Sequence, residues 1–187
     1  RTVQLQRDFF QSGETLDVAW RIEQLKKLKK AVSKYKKPLE KALYEDLGRD
    51  PAETYMLDIG TTLFEIDEYI RGLKRWAKPE THFSGLACFP STVTKVYKLP
   101  YGVSLIVSPF NFPFLLSLGV LAAAIAGGNT AVIKASSKSP RSTAVLKKLI
   151  GEAFPDIPST TIMYVSTAAS LAGIPAFQDR YVDALEF

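Results

Sequence analysis

Two polar residues stand where the sequence could place chemistry, and the first is Asn111. It lies in the segment Ser108-Pro109-Phe110-Asn111-Phe112-Pro113, directly after a run of apolar residues. Two prolines stiffen this segment, and a carboxamide held there has an N–H donor that could stabilise a developing oxyanion. The spacing leaves an equal alternative, in which Asn111 only caps the helix that follows.

The second candidate is Lys134, which ends the next predicted strand and is followed by Ala135-Ser136-Ser137. A lysine at the carboxyl end of a parallel strand directs its ammonium group towards the ligand crevice, where it could hold a ribose hydroxyl or a phosphate. The alternative is a lysine that extends its charged end into solvent, and the residues alone favour that alternative.

The cysteine and the histidine of the chain give weaker arguments for a functional site. Cys88 is the single cysteine, so an internal disulfide and a cysteine-based metal cluster are excluded. It lies in a loop without a neighbouring base, which predicts an inert thiol. The lone histidine, His82, lies in the same loop and is given no role. Neither a G-x-G-x-x-G nor a Walker A pattern occurs, so these motifs do not argue for a nucleotide site.

The second half of the chain alternates between strand and helix patterns. Strands are predicted at 103–107, 130–133, 161–165 and 181–187, and helices at 114–126, 140–153 and 167–171. The run 103–107 is continuously apolar, as expected for a strand buried on both faces. Gly127-Gly128-Asn129 predicts a turn, and Ser139 is the predicted cap of the helix that Pro140 opens. Such alternation favours parallel pairing in an open, doubly wound sheet, with ligands at the carboxyl ends of its strands.

The first half predicts amphipathic helices. One apolar stripe consists of Val18, Ile22, Leu25, Leu28, Val32 and Tyr35, and a second consists of Met56, Ile59, Leu63, Ile66, Ile70 and Leu73. Pro38 predicts a kink or a restart, Gly48 a helix end, and Asp50-Pro51-Ala52-Glu53 the start of the next helix. Residues 79–91 are predicted as loop, and 92–98 as an exposed strand.

Composition and charge narrow the class of protein. With 47% hydrophobic and 23% charged residues among 187, the composition is that of a globular rather than a disordered protein. The helical first half and the strand–helix alternation of the second half predict an α/β fold, in which a helical N-terminal layer packs on an incomplete doubly wound parallel sheet. The net charge of +5 comes mostly from a run of lysines in the first amphipathic helix, which lacks interleaved aromatics and predicts a solvated face rather than a nucleic-acid surface. The apolar stretch 112–126 is too short to span a membrane, and no signal peptide is visible. A single cysteine fits a reducing compartment, and the cytoplasm is the expected location.

Several of these segments, taken together, resemble the aldehyde dehydrogenase superfamily. The pattern runs from Pro100-Tyr101-Gly102-Val103 through the segment that holds Asn111, and then through Ala126-Gly127-Gly128-Asn129-Thr130-Ala131-Val132-Ile133-Lys134 to Ser139-Pro140. Asp46-Leu47-Gly48-Arg49 and Leu73-Lys74-Arg75-Trp76-Ala77-Lys78-Pro79 are most similar to the class 3 type. The resemblance covers nearly the whole chain, and it implies a variant Rossmann fold that lacks the usual glycine motif.

The resemblance implies roles for individual residues. Asn111 matches the oxyanion-hole asparagine of the family, and Lys134 matches the lysine that hydrogen-bonds the adenosine ribose of NAD or NADP. The backbone of Val107, Ser108, Pro109 and Phe110 would line the nicotinamide side of the cofactor cleft. The strand at 92–98 would belong to a hairpin used in dimer formation, so a homodimer is expected.

One position departs from the family. Where the family usually has Lys-Pro-Ser-Glu, this chain has Lys134-Ala135-Ser136-Ser137. Because the glutamate that discriminates at the 2′ position of the cofactor is replaced by Ser137, a repulsion against a 2′-phosphate is removed. The substitution therefore predicts better tolerance of NADP.

The resemblance also implies a division of the chain. Residues 1–90 would form an N-terminal helical region, 91–100 the start of an oligomerisation hairpin, and 101–187 the first part of a dinucleotide-binding domain. The chain stops before the family's Gly-Ser-rich turn, general-base glutamate and nucleophilic cysteine, so these 187 residues alone are expected to be inactive. The expected reaction of the intact chain is oxidation of an apolar aldehyde to the carboxylic acid.

Two other functions remain open from the sequence. One is a non-catalytic dinucleotide-binding or regulatory member of the same fold, to which Ser137 gives some weight. The other is a structural or partner-binding helical protein that uses its lysine-rich helix.

Overall fold

The computed structural model describes residues 2–83, 93–155 and 162–164. Its helices are α1 (Thr2–Gln11), α2 (Val18–Lys34), α3 (Lys36–Leu47), α4 (Pro51–Thr54), α5 (Gly60–Trp76), α6 (Val120–Ala126) and α7 (Pro140–Ala153). Its strands are β1 (Glu80–Phe83), β2 (Val93–Val96), β3 (Val103–Val107), β4 (Thr130–Lys134) and β5 (Ile162–Tyr164). The α/β class predicted from the sequence is confirmed. The predicted helix at 167–171 and strand at 181–187 lie outside the described residues.

Helix α2 is the centre of the helical layer. Its predicted stripe is confirmed, since Ile22, Leu25, Leu28 and Val32 are buried in one core with residues of the sheet and of α6 and α7. The helix packs against α5, α6 and α7. Burial of such an apolar stripe, rather than intrinsic propensity, is what holds a helix of this length in place.

The bounds of α2 and α3 include the predicted restart near Pro38 and the predicted helix end at Gly48. Asp17 caps α2 by accepting the backbone N–H groups of Ala19 and Trp20, each at 3.1 Å. The chain breaks at Tyr35 and restarts as α3, which places Pro38 in the first turn of the new helix, where its missing N–H has no partner to lose. Gly48 ends α3 in the left-handed conformation, with φ of 67°.

The second amphipathic helix contains a π-helical turn. Asp50 caps its first segment, α4, by accepting the N–H of Ala52 at 2.7 Å, as the sequence predicts. A π turn, Tyr55–Ile59, then joins α4 to α5. The inserted residue rotates the helix, so Met56 is 71% exposed and its predicted place in the buried stripe is wrong, whereas Ile59, Ile66 and Leu73 are buried.

A two-stranded antiparallel hairpin follows α5. β1 pairs with β2, with Glu80 opposite Val96 and Phe83 opposite Val93. The exposed strand predicted at 92–98 is therefore confirmed at its centre. The loop prediction is wrong at 80–83, because these residues pair with β2 through their backbones. Thr81 and Phe83 favour a strand, but a segment of four residues does not reveal the strand without its partner.

The remaining strands form a parallel sheet in the order β3-β4-β5. β4 is the central strand, and its residues 130–133 are buried. The prediction that β3 is buried on both faces is wrong, because Val103, Ser104 and Leu105 are only partly buried and Val107 is 59% exposed. The bounds of β3 are as predicted.

Long-range hydrogen bonds tie the helical layer to the sheet. The buried Gln6 side chain of α1 donates its Nε2 to the carbonyl of Ala131 in β4 at 3.1 Å. The buried guanidinium of Arg21 donates to the carbonyls of Thr15, Leu16 and Ala126. It lies against Gly128, which has φ of 79° and turns the chain into β4.

The apolar segment at 112–126 divides into a π turn, Leu115–Gly119, and the short α6. Among the helices of the described residues, none has the length and apolar character needed to cross a bilayer.

Candidate functional site

The register of the parallel sheet places the two candidate loops side by side. Val107, the last residue of β3, is paired with Lys134, the last residue of β4. The first residue of the Asn111 loop continues this pairing, since the N–H of Ser108 donates to the carbonyl of Lys134 at 3.0 Å. Both loops therefore leave the carboxyl edge of the sheet at the same level, which is where ligands bind in open α/β folds.

Asn111 is exposed at this edge, and its backbone is anchored. Nη2 of Arg49 donates to the carbonyl of Asn111 at 2.5 Å, and the Arg49 guanidinium carbon lies 4.7 Å from the ring centroid of Phe112. Within residues 2–83 and 93–155, the Asn111 carboxamide makes no hydrogen bond. The capping alternative is not realised in this arrangement, because the N–H of Leu115 in the following π turn is accepted by Asp58.

The residues before Asn111 form a partly exposed rim. The Ser108 side chain is buried, with its Oγ 3.4 Å from the carbonyl oxygens of Pro109 and Pro113. Pro109 and Phe110 are exposed. The Lys138 ammonium lies 5.3 Å from the ring centroid of Phe110, so the two loops also contact each other directly.

Lys134 is half-buried and has no carboxylate partner in the described part of the chain. The turn after it is held by neutral contacts, since the Ser136 Oγ accepts the N–H of Lys138 at 3.2 Å and the Ser136 carbonyl accepts the Thr143 hydroxyl at 3.1 Å. Ser137 is exposed. Together, the Lys134 cation and these hydroxyls at a strand end are a donor set that fits the ribose hydroxyls and phosphates of a dinucleotide.

The start of α7 is capped from a distant part of the chain. The sequence predicts Ser139 as the cap, but the Ser139 side chain makes no capping hydrogen bond. Instead Asp46 accepts two backbone N–H groups, that of Ser142 at 2.7 Å and that of Arg141 at 3.2 Å. Its carboxylate supplies both the acceptors and the negative charge that a helix N-terminus favours.

Asp58 is the most perturbed ionisable group near the Asn111 loop. Its side chain is fully buried, its Oδ1 accepts the N–H of Leu115, and its Oδ2 lies 3.5 Å from Nη1 of Arg49. Burial raises the pKa of Asp58 to about 6, although the Leu115 N–H, the Arg49 charge and the Phe114 N–H all act in the opposite direction. Desolvation of the carboxylate thus outweighs its partners.

A second carboxylate faces the π turn at 115–119. Glu65 of α5 lies against Gly119, where a side chain would occupy the place of the carboxylate. Burial raises the pKa of Glu65. Both acidic groups that contact this turn are therefore partly desolvated, and π turns are frequent near functional sites.

The sequence prediction missed Asp46, Arg49 and Asp58 as residues that contact the site. Each acts on a segment far away in the chain, with separations of 57 to 96 residues, and no periodicity reports such contacts. Two local signals were present: Asp46 and Arg49 belong to the class 3-like motif Asp46-Leu47-Gly48-Arg49, and Asp58 is an acidic residue next to the apolar Ile59 in an amphipathic helix.

The other reactive residues add nothing to this edge. His82 is exposed on β1, with its Nε2 3.9 Å from a carboxylate oxygen of Glu80. Cys88 lies outside the described residues. No group of three or more histidine, cysteine or acidic side chains in the described ranges could hold a metal ion.

The chain matches the family model described as "Aldehyde dehydrogenase family" over residues 1–187. Among curated relatives, it is 44% identical over 146 residues to the 4,4'-diaponeurosporen-aldehyde dehydrogenase of Staphylococcus aureus, in a match that covers 78% of this chain and 32% of the relative. It is 37% identical over 146 residues to the chloroplastic aldehyde dehydrogenase family 3 member I1 of Arabidopsis thaliana, in a match that covers 78% of this chain and 26% of the relative.

Solved structures show the same fold. A substrate-bound structure of Staphylococcus aureus AldH matches with a TM-score of 0.86 and 38% identity, covering 91% of this chain and 36% of the other. A betaine aldehyde dehydrogenase from the same organism, in complex with NAD+, matches with a TM-score of 0.77 and 25% identity, covering 91% of this chain and 33% of the other.

These matches agree with the resemblance drawn from the motifs, including the class 3 type, because relatives named as family 3 members are among them. The chain spans between 26% and 36% of the length of these four proteins. On the family model and the two relatives together, the chain belongs to the aldehyde dehydrogenase family.

Proposed function

We propose that the intact protein oxidises an aldehyde to the carboxylic acid with reduction of NAD or NADP. The observation that carries this proposal is the pairing of Val107 with Lys134, which brings the Asn111 loop and the Lys134 loop to one edge of the sheet. Family membership supports the reaction class, and the NAD+ complex of a structural neighbour supports the cofactor class.

Each residue of this edge has a distinct task in the proposal. Asn111 donates an N–H of its carboxamide to the aldehyde oxygen as negative charge develops there. Lys134 holds the adenosine ribose, and the backbone of 107–110 positions the nicotinamide side of the dinucleotide. The bound dinucleotide supplies the hydride acceptor. Residues 1–187 are assigned no nucleophile or general base, so this piece by itself is expected to show no turnover.

The substrate class is proposed to be an apolar aldehyde. Support comes from the Staphylococcus aureus relative, whose name states a diaponeurosporen-aldehyde, at 44% identity. Initial rates with a series of saturated aldehydes of increasing chain length test this, since kcat/KM should rise with length. A flat series would contradict it.

Ser137 is proposed to widen cofactor use. Its exposed position after Lys134 puts no negative charge at the end of β4. Ser137→Glu should lower kcat/KM for NADP by about tenfold or more, because a carboxylate near a 2′-phosphate repels it, while the value for NAD changes little. The matched control is Ser137→Gln, which introduces a side chain of the same size without the charge. Strong rejection of NADP by the unsubstituted protein would overturn this part of the proposal.

The proposed reaction is tested by NAD(P)H formation with a panel of aldehydes. Asn111→Ala should lower kcat by about 100-fold or more, as expected for loss of an oxyanion donor. Lys134→Ala should raise the KM for the cofactor, whereas Lys148→Ala, at an exposed lysine of α7, should change neither constant. Absence of NAD(P)H formation with every aldehyde would reject the proposal.

A non-catalytic dinucleotide-binding member is the second candidate, because Ser137 departs from the family pattern. Calorimetry separates the two candidates. Cofactor binding that Lys134→Ala abolishes, without turnover of any aldehyde, favours the binding module.

The hairpin is proposed to take part in a homodimer. Val93 and Val96 of β2 are both exposed, at 59% and 47%, in a strand that pairs on one side with β1. Light scattering of the intact protein should give the mass of a dimer, and Val96→Lys should shift it towards the monomer. A monomeric mass for the unsubstituted protein would contradict the proposal.

A further inference from the structure

A single four-residue segment contacts the Asn111 loop and the first turn of α7, the helix that follows the Lys134 loop. This segment, residues 46–49, contains the end of α3 and the turn after it, and it lies outside the sheet. Asp46 binds the start of α7, and Arg49 binds the Asn111 loop. The left-handed Gly48 between them reverses the chain, so the two side chains can reach different segments.

Arg49 makes three kinds of contact within the Asn111 region. Its Nη2 donates to the Asn111 carbonyl at 2.5 Å, and its guanidinium lies over the Phe112 ring. Its Nη1 faces the buried carboxylate of Asp58 at 3.5 Å, and that carboxylate also accepts the N–H of Leu115. The loop is thus held on both sides of Asn111 by one cation and its counter-ion. Only 12% of the Arg49 side chain is exposed, so water screens these contacts little.

Asp46 acts on the other loop. Its two hydrogen bonds to Arg141 and Ser142 fix the first turn of α7. Thr143, in the same turn, donates its hydroxyl to the carbonyl of Ser136 at 3.1 Å. The path from Asp46 to the segment that follows Lys134 therefore runs through one helical turn.

We propose that Arg49 and Asp46 are positioning residues for the two halves of the site, Arg49 acting through Asn111 and Asp46 through the Lys134 loop. This inference rests on the proposed function. The hydrogen bond from Arg49 fixes the Asn111 carbonyl, and with it the backbone from which the carboxamide projects. A shift of about 1 Å in a reacting group can cost about 100-fold in rate. Arg49 can therefore affect the rate without contacting the substrate, because it holds the backbone of Asn111 in place.

A double-mutant cycle tests the role of Arg49 in the intact protein. Arg49→Ala should lower kcat by about 10- to 100-fold and leave the dissociation constant of the cofactor unchanged. In an Asn111→Ala background the same substitution should lower kcat by no more than about twofold, because the group through which it acts is gone. Arg49→Lys keeps the charge near Asp58 but lacks the planar fork that reaches Asp58 and the Asn111 carbonyl at once. Its kcat should fall between those of the unsubstituted protein and Arg49→Ala, and it replaces Arg49→Ala if that variant does not fold. Full multiplication of the two losses would overturn the inference, as would an unchanged kcat in Arg49→Ala.

Asp46→Ala should give the opposite pattern. We expect the KM for the cofactor to rise by about three- to tenfold from loss of the cap, with kcat unchanged. Arg71→Ala, which removes an exposed arginine that pairs with Glu68 on the same helix, is the matched control and should change neither constant. A fall in kcat in Asp46→Ala with an unchanged cofactor KM would overturn the assignment.

Amide hydrogen exchange separates failure of this inference from failure of the proposed function. Arg49→Ala should speed exchange in 108–118 and not in 136–146, and Asp46→Ala should do the reverse. If the unsubstituted protein shows no dehydrogenase activity, the proposed function fails. The exchange pattern alone then decides whether Arg49 and Asp46 position the two segments. Equal changes in both segments would reject the positioning roles even when activity is present.

Discussion

The two loops at the carboxyl edge of the sheet are held by different chemistry. The Asn111 loop is braced by charged groups that are almost removed from water, namely Arg49 and the fully buried Asp58. The loop after Lys134 is held by neutral hydrogen bonds of Ser136 and by a partly exposed carboxylate, Asp46. A buried charge is costly when its partner is removed, whereas an exposed cap is worth about 1 kcal/mol. The first loop is therefore fixed more firmly, and it is also more sensitive to a single substitution and to pH.

The largest expected effect is that of Asp58→Ala. The substitution leaves the Arg49 charge and the Leu115 N–H without their acceptor inside the protein, so the free energy of unfolding should fall by about 3 kcal/mol or more. Urea unfolding of the intact protein measures this change. Arg71→Ala, at an exposed ion pair, should change it by less than about 0.5 kcal/mol. Similar losses of unfolding free energy in Asp58→Ala and Arg71→Ala would contradict the claim that buried charges hold the Asn111 loop more firmly.

The pH dependence of stability should come next in size. Because the pKa of Asp58 is raised to about 6 in the folded protein, the folded state binds its proton more tightly than the unfolded state does. The contribution of this group is then fully present below about pH 4 and is lost as the pH rises to about 6, by about 2–3 kcal/mol in total.

The measurement is the difference in unfolding free energy between the unsubstituted protein and Asp58→Asn, followed from pH 4 to pH 7. This difference should fall as the pH rises, since the carboxamide of the variant does not titrate and the contributions of the other groups cancel. A constant difference would show that Asp58 is ionised throughout.

Loss of the long-range cap should have a smaller effect. Asp46→Ala should lower the unfolding free energy by about 1 kcal/mol, and Asp46→Asn should lower it by roughly a few tenths of a kcal/mol, because the amide oxygen still accepts an N–H while the charge is lost. Ser139→Ala is the control, since the Ser139 side chain makes no capping hydrogen bond. A larger loss in Ser139→Ala than in Asp46→Ala would contradict the assignment of the cap.

Effects of similar size, but of opposite sign, should come from substitutions at two glycines. Gly48→Ala should cost about 1 kcal/mol, because φ of 67° strains any residue with a Cβ. Gly151→Ala in α7 should stabilise by about 0.5–1 kcal/mol, since a Cβ there meets no atom within 4 Å and alanine favours the helix. Thermal unfolding should therefore shift in opposite directions for the two variants. A shift in the same direction would contradict one of the two backbone assignments.

Local patterns predicted most of the scaffold. The bounds of β3, the break before Pro38 and the helix end at Gly48 follow from apolar runs and from the backbone preferences of proline and glycine, all of which act within a few residues. The π turn at 55–59 was not predictable in this way, and it changed Met56 from a core residue to an exposed one. β1 was missed because it has only four residues and is stabilised by its pairing with β2, which no local pattern reports.

The residues of the candidate site also fall into two groups, those that local patterns predicted and those that they did not. Asn111 and Lys134 were found because each directly follows or ends a predicted strand, and the parallel register then brings their loops together. Arg49, Asp46 and Asp58 were not found, because a contact across the helical layer leaves no trace in local spacing. Residue roles at this site remain predictions, while the position of both loops at one edge is a feature of the fold.

The contact between Arg21 and Gly128 has a consequence for sequence variation in this fold. A Cβ at position 128 would lie 2.7 Å from the guanidinium, which is itself held by three backbone carbonyls. Neither position can therefore change freely by itself. In homologues, a residue larger than glycine at position 128 should occur only with a side chain shorter than arginine at position 21, so that the two sites vary together although they lie far apart along the chain.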